Sequence, residues 1–381
     1  MVKTTKKNLN NLLKDYKLPK VNWDIQIKDF LSEKAKSYYD YIISNPPYIE
    51  YRNLSDNQRQ FLSTSFTSCS FGKFDYYYAF IEHSLNWLSD RGRMVFLVPN
   101  NVFKTISGEP LRELMKPSVE KIIDFCSTKV FKTNQVQTSS AIISFQKNNL
   151  NDSILYSTSF EGEETAINKS TLFGKWLFKE INKTGVPFGS LFEVHQSIAT
   201  LRNSVFIHKN KPDIEEDLLY QATSPKDENT KTKRYIIIPY IRTKKDKIKR
   251  FEENLFKKKY PKAYFFLFAS KNTLTESDKD KGSNWFEFGR SQGLTNLWKE
   301  KLMLSPIVSA TVKVYKLNSE IIPYSGIVIT RKNGSSKPLS YAIEILSSDS
   351  FHEYCQRVGV NINGRSIRVT TNDIKNFLVK K

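Results

Sequence analysis

The stretch that most constrains this chain is Tyr41-Ile42-Ile43-Ser44-Asn45-Pro46-Pro47-Tyr48, an apolar run that ends abruptly in Asn-Pro-Pro-Tyr. Ile and aromatic residues favour an extended strand, and two successive prolines can neither continue a ladder nor donate to it, so the strand must end in a rigid loop. There the Asn45 side chain presents a carbonyl, and the peptide carbonyl of Pro46 is expected to be free because no neighbouring strand claims it. Two acceptors side by side suit a substrate amino group. Tyr48 adds an aromatic face on which a flat group can stack.

At 381 residues the chain has room for two domains of ordinary size. Its formal net charge of +20 suits a polyanion far better than a neutral metabolite, with nucleic acid first and an anionic membrane surface second. No run approaches the length of a membrane-spanning helix, and the start, Met1 to Lys7, leads into no apolar signal core. A soluble cytoplasmic protein is therefore expected. Cys69, Cys126 and Cys355 lie far apart, as do the four histidines. No disulfide framework or metal site is indicated.

Along the chain, Leu9, Leu12 and Leu13 predict a short amphipathic helix within Lys6 to Lys20, and Asp24 to Leu31 alternates like a strand. Phe74 to Leu88 has strong helical periodicity, the turn Ser89-Asp90-Arg91-Gly92 closes it, and Arg93 to Pro99 reads as a buried strand. A helix over Pro110 to Met115 and strands over Val119 to Phe125 and Ser139 to Phe145 follow. This alternation predicts an α/β domain, doubly wound on a largely parallel sheet, over 1–148. The polar stretch Lys147 to Asp152 marks a boundary, and 149–381 is expected to form a mixed α+β domain. Within it, Lys231 to Lys262 is dense in Lys and Arg, including Arg242, Lys244 and Lys245, with Tyr235, Tyr240, Phe251, Phe256 and Tyr260 interleaved. Such a segment serves either phosphate contact and base stacking or a solvated surface. Trp285 to Leu294 sets Arg290 and Gln292 between glycines. These are side chains that read base edges, although Arg290 could instead pair with Glu287.

Asn-Pro-Pro-Tyr after an apolar strand resembles the catalytic motif of amino-group methyltransferases that use S-adenosylmethionine. Asp29-Phe30-Leu31, Asp75-Tyr76-Tyr77, Val98-Pro99-Asn100, Leu111-Arg112 and Val130-Phe131 follow in the order of the N6-adenine DNA methyltransferases of restriction-modification systems, TaqI-type and relatives. Ile238 to Arg242, Trp285 to Leu294 and Arg365 to Arg368 look similar to their target-recognition domain. The resemblance implies a catalytic Asn45-Pro46-Pro47-Tyr48 loop, cofactor contacts at Asp29 and Phe30, stacking of a flipped adenine by Tyr48 and Phe131, and double-stranded DNA as partner, contacted by Arg242, Lys244, Lys245 and Arg290. Asp29 has a structural alternative as a capping carboxylate, and Phe131 one as an ordinary apolar contact.

The family places a glycine-rich turn and a ribose-binding acidic residue upstream of this loop, yet no Gly precedes Gly72. The methyltransferase sheet and the S-adenosylmethionine site are thus expected to be incomplete, with the edge of the strand entering Asn45 bare. Three explanations follow: a complementary N-terminal methyltransferase polypeptide, a remnant of a disrupted gene, or DNA binding without methylation. Outside DNA methylation stand two other functions, a non-catalytic DNA-binding specificity module and an amino-group methyltransferase acting on RNA or protein.

Overall fold

The computed structural model describes residues 2–35, 38–126, 128, 139–178, 184–245, 247–276, 278–362 and 366–380. They form two compact units, Met1–Phe125 with Ser140–Lys175, and Cys126–Ser139 with Trp176–Lys381.

The first unit contains helices α1 (Val2–Asp15), α2 (Asp56–Ser65), α3 (Tyr77–Trp87) and α4 (Glu109–Met115). Its strands are β1 (Tyr39–Ser44), β2 (Leu88–Pro99), β3 (Val119–Asp124), β4 (Ser140–Gln146), β5 (Ser153–Ser157) and β6 (Thr165–Asn168). The strands form one sheet in the order β1-β2-β4-β3-β5-β6. Its orientation is mixed rather than largely parallel: β1–β2 and β3–β5 run parallel, while β4 lies antiparallel between β2 and β3. The reason is the route of the chain, which inserts the last-formed strand of this group between two earlier ones. Sequence alternation cannot show that.

One face of the sheet is packed and the other is not. Met94, Phe96 and Val98 of β2 and Ala141, Ile143 and Phe145 of β4 are buried. They lie on the side where α3, with Tyr77, Tyr78 and Ile81 inward, packs against β2. In the register, Ile43, Val95 and Ser144 share the opposite face. There Val95, Leu97 and Ile142 are only part-buried, and Tyr41 and Ile43 are 80% and 87% exposed. The strand β1 is also the edge of the sheet, as the sequence suggests.

Three local expectations need correction. Asp24 to Leu31 forms no strand; Asp29 instead caps a 3₁₀ turn, Phe30–Ser32. Among the described residues no strand lies beside it, and alternation alone cannot hold an extended segment without a ladder. The turn at Ser89–Gly92 lies inside β2 as an irregularity, since Tyr39 pairs with Leu88 and Tyr41 with Arg93. Gly92 is needed there because a Cβ would stand 2.8 Å from the Tyr39 carbonyl oxygen. Finally, the 148/149 boundary cuts the sheet: β5 and β6 add to it, and the unit runs on to Lys175.

The second unit is α+β. One four-stranded sheet joins Ile321–Pro323, Leu219–Thr223, Arg234–Ile237 and Ile207–His208, and another joins Val314–Leu317, Lys301–Leu304, Ile327–Arg331 and Phe192–Gln196. Each has its own apolar cluster. The first also takes in the helices Glu253–Lys259 and Pro261–Phe268, and the second Leu339–Leu346 and Asp349–Val358. Between strand and loop, the buried Lys301 ammonium donates to the carbonyls of Leu297 (2.9 Å) and Ile321 (3.0 Å), and burial draws its pKa down to about 8. No described helix is long and apolar enough to cross a membrane.

In the first unit Arg112 of α4 is 1% exposed. Its guanidinium satisfies the carbonyls of Val102 (2.7 Å), Thr105 (2.8 Å) and Gly174 (2.5 Å). Arg112→Met keeps the bulk but leaves those acceptors without a donor, so this unit should lose about 3 kcal/mol or more. Urea titration of the full chain should show its midpoint fall, whereas Glu113→Gln, which breaks an exposed pair with Lys116, should cost under about 1 kcal/mol.

Candidate active site and nucleic-acid interface

The strands β1, β2 and β3 all run in one direction, because β4 is antiparallel to both of its neighbours. Their carboxyl ends therefore meet along one edge of the sheet. This is where ligands bind in open α/β folds. It brings Asn45-Pro46-Pro47-Tyr48 from the end of β1, Asn100 and Asn101 from the end of β2 and Asp124 from the end of β3 to the same rim.

The loop is held by its second half. The Tyr48 hydroxyl donates to the Leu97 carbonyl at 2.9 Å, across to β2. The backbone N–H of Tyr76 donates to the Ile49 carbonyl at 2.9 Å, tying the loop to the start of α3. The Tyr48 ring meets Tyr77 edge-on with centroids 6.2 Å apart. Burial pushes the Tyr48 phenol up to about 12. It therefore stays a donor and anchors the loop rather than exchanging protons.

The first half of the loop is left open. Pro46 is buried while Asn45 and Pro47 are exposed. Among the described residues nothing hydrogen-bonds the Asn45 side chain or the Pro46 carbonyl. These are the two acceptors that the sequence singles out.

Beneath Tyr48 lies a polar relay that sequence reading missed. The Tyr77 hydroxyl donates to Asn101 Oδ1 at 3.0 Å, and Asn101 Nδ2 donates to Asp75 Oδ2 at 3.4 Å. Asn100 Nδ2 donates to Asp124 Oδ1 at 2.8 Å. Burial first, and the nearby Glu50 carboxylate after it, push the Asp75 carboxyl up to about 6, against the donation from Asn101. The available signal was a carboxylate, Asp75, directly before the run Tyr76-Tyr77-Tyr78 that opens a helix. Tyr77 and Tyr78 are fully buried, a packed helix face.

Asp29 and Phe30 stand apart in character. Asp29 is exposed, and its Oδ1 accepts from the Leu31 N–H at 3.2 Å, the capping geometry weighed for it above. Phe30 packs on α3, with centroids 4.7 Å from His83 and 5.7 Å from Trp87. Phe131 lies outside the described residues, as does Arg365.

The second unit sorts the four expected DNA contacts into two pairs. Arg242 is bidentate to Glu320 (2.9 and 3.1 Å) and lies over the Trp298 ring. Arg290 pairs with Asp278 at 2.7 Å and faces Asp280, not Glu287. Glu287 is buried and paired with Arg250 at 3.2 Å. Lys244 and Lys245, by contrast, are exposed on the connection of the hairpin Ile241–Arg242/Ile248–Lys249, and neither forms an ion pair among the described residues. Gln292 is also exposed. Of the interleaved aromatics, Tyr240, Phe251, Phe256 and Tyr260 are buried in the core and offer no stacking face, while Tyr235 is part-buried.

Residues 2–131 match the Eco57I restriction-modification methylase family. The resemblance to restriction-modification methyltransferases therefore holds. The type II restriction enzyme and methyltransferase RM.Eco57I of Escherichia coli is 23% identical over 392 aligned residues, covering 86% of this chain and 39% of that protein. The type II methyltransferase M.HincII of Haemophilus influenzae is 37% identical over 110 residues, 27% of this chain and 21% of the relative. A tRNA1(Val) (adenine(37)-N6)-methyltransferase of Glaesserella parasuis is 30% identical over 83 residues, 22% of this chain and 32% of the relative. This chain thus spans well under half of each. In fold, it is similar to the type IIL restriction-modification enzyme MmeI solved with DNA, with a TM-score of 0.59 and 14% identity over 88% of this chain and 46% of that one.

The Asp75 carboxyl yields a pH test. Its folded pKa lies above the ordinary 3.8, so the ionised form opposes folding; the penalty is absent below about pH 4 and complete above about pH 6. Asp75→Asn should therefore stabilise the first unit by about 1–3 kcal/mol at pH 8 and by nothing at pH 3.5. Thermal melts of both proteins across this range would contradict the assignment if their separation stayed constant.

Proposed function

We propose that this chain carries the acceptor loop and the target-recognition domain of an S-adenosylmethionine-dependent DNA methyltransferase of a restriction-modification system, of the TaqI type, which methylates adenine at N6. The observation that carries the proposal is the pair of unengaged acceptors, the Asn45 side chain and the Pro46 carbonyl, at the carboxyl rim of β1 and directly before the anchored Tyr48. The names of the relatives add support, since one acts on adenine N6 of a tRNA and others are type II methyltransferases.

Adenine N6 is a weak nucleophile because its lone pair is delocalised into the ring. Accepting both of its hydrogens at Asn45 and Pro46 favours a pyramidal nitrogen, with the lone pair freed for in-line attack. A base stacked in duplex DNA cannot reach this rim, so it must be flipped out, and Tyr48 offers it a ring face. S-adenosylmethionine supplies an electrophilic sulfonium methyl. Of this chain's residues, Asp29 with its remaining carboxylate oxygen and Phe30 with its part-exposed ring would address only the adenine end of the cofactor. The fit is partial.

The remainder of the site calls for a further segment or chain alongside β1. The exposed Tyr41 and Ile43 and the outer edge of β1, unpaired among the described residues, suit a partner that adds a strand there. A complementary methyltransferase polypeptide has that chemistry. A second reading, methylation of RNA, is favoured by the tRNA methyltransferase relative alone; the large basic second unit favours DNA.

Calorimetry on the chain alone should give no micromolar binding of S-adenosylmethionine, and such binding would overturn the incomplete-site reading. With the completing polypeptide present, label from the cofactor should enter duplex DNA at adenine N6. Asn45→Ala should reduce that transfer at least about a hundredfold while leaving DNA affinity within about twofold. Label in RNA or protein but not in DNA would favour the second reading. Unchanged transfer by Asn45→Ala would remove the loop from the mechanism.

A further inference from the structure

Just past the basic segment of the second unit, a different set of aromatics from those its sequence suggests is exposed. The helices Glu253–Lys259 and Pro261–Phe268 bury Phe256, Tyr264 and Leu267. On the outer side Phe265 is 57% exposed, Phe268 45% and Phe266 36%. Burying such rings is favourable, and a solvent-facing cluster of three on one helix marks a surface that meets something.

Lysines frame this ridge. Lys257 lies over the rings of Tyr264 and Phe265, and Lys271 over those of Phe268 and Trp285. Lys258 and Lys259 follow on the first helix, both exposed, with Lys259 over the ring of Tyr260. Among the described residues none of these four forms a salt bridge; the nearby Glu253 carboxylate is taken up by Trp285 Nε1 (2.8 Å) and the Tyr264 hydroxyl (2.9 Å). The neighbouring Lys262, by contrast, is paired with Asp213 at 2.8 Å. Ammonium groups held beside phenyl faces, in a chain of net charge +20, complement a partner that carries repeated anions next to flat apolar surfaces.

We infer that this lysine-framed phenylalanine ridge is a second DNA-contacting surface of the chain, distinct from the hairpin bearing Lys244 and Lys245. The lysines take backbone phosphates, and Phe265 and Phe268 pack on sugars or wedge at an opened base step. A second copy of this chain would bring like charges together. The inference rests on the DNA reading proposed above.

The test is titration of the full chain with a short labelled duplex over a range of salt concentrations, alongside sedimentation and flotation with phosphatidylserine vesicles. K257Q/K258Q/K259Q should flatten the log–log salt dependence by about 2 to 3, roughly 0.9 for each phosphate no longer neutralised. The charge-matched control K3Q/K6Q/K7Q, on α1, should leave the slope unchanged. F265S/F268S should weaken binding at least about fivefold at an unaltered slope, because stacking and apolar contacts release no counterions. All variants alter exposed side chains, and melting curves that match the parent would establish that they fold. No DNA binding by the parent at low salt would overturn the DNA reading itself. Binding by the parent that both ridge variants retain in affinity and slope would overturn the ridge alone. So would variants that abolish self-association or vesicle flotation while leaving DNA binding intact, since the ridge would then serve a second copy or a membrane.

Discussion

Parallel pairing of β1 with β2 is the constraint on which the candidate site depends. It sets Asn45 at the same height as the end of β2, so that Tyr48 reaches the Leu97 carbonyl and the ring of Tyr77. The carboxyl ends of β2 and β3 then add Asn100, Asn101 and Asp124 to the same rim. As an edge strand, β1 has a ladder on one side only. Among the described residues, the ladder to β2, the Tyr48 phenol, its ring contact with Tyr77 and the backbone bond at Ile49 hold the loop. Edge strands, laddered on one side, open more readily than central ones.

Much of the first unit was legible because its signals are local. Helices α3 and α4, the strand before Asn45 and the strand ending at Pro99 follow from periodicity and from proline, and the structure has them within a few residues. What periodicity could not carry is pairing. The insertion of β4 between β2 and β3 is a long-range choice, and so is the lack, among the described residues, of a strand beside Asp24 to Leu31. The Asp75–Asn101–Tyr77 relay joins three separate elements, which sequence spacing does not reveal.

In the second unit the sequence identified the right residue types and misjudged their directions. The aromatics Tyr240, Phe251, Phe256 and Tyr260 fill the core, whereas Phe265, Phe266 and Phe268, on the next helix, face solvent. Composition cannot separate the two sets; helical phase goes further, since Ala263, Tyr264 and Leu267, the buried residues of Pro261–Phe268, recur at the spacing of one helix face. The charges divide in the same manner. Arg242 and Arg290 are neutralised by carboxylates within the fold, so their planar forks shape the unit's own loops, and a DNA contact by either would have to compete with Glu320 or Asp278. Lys244 and Lys245 have no such competitor among the described residues. The positive field available to a polyanion comes from lysines of this second kind, which attract without specifying sequence.

The half-covered sheet bears most directly on how the chemistry could be completed. On β1 two deficits coincide among the described residues: its outer backbone groups lack a ladder, and Tyr41 and Ile43 lack a packing layer. Both lie on the strand that ends in Asn45. A strand added there would supply a second ladder to the element that holds the acceptor loop, and whatever follows that strand would reach the open face beside it. On the function proposed above, completion of the cofactor site and rigidification of the acceptor site would then be one event. The loop is tethered through Tyr48 and Ile49 but open at Asn45 and Pro46, the arrangement expected of acceptor groups whose final placement depends on how firmly the strand before them is held.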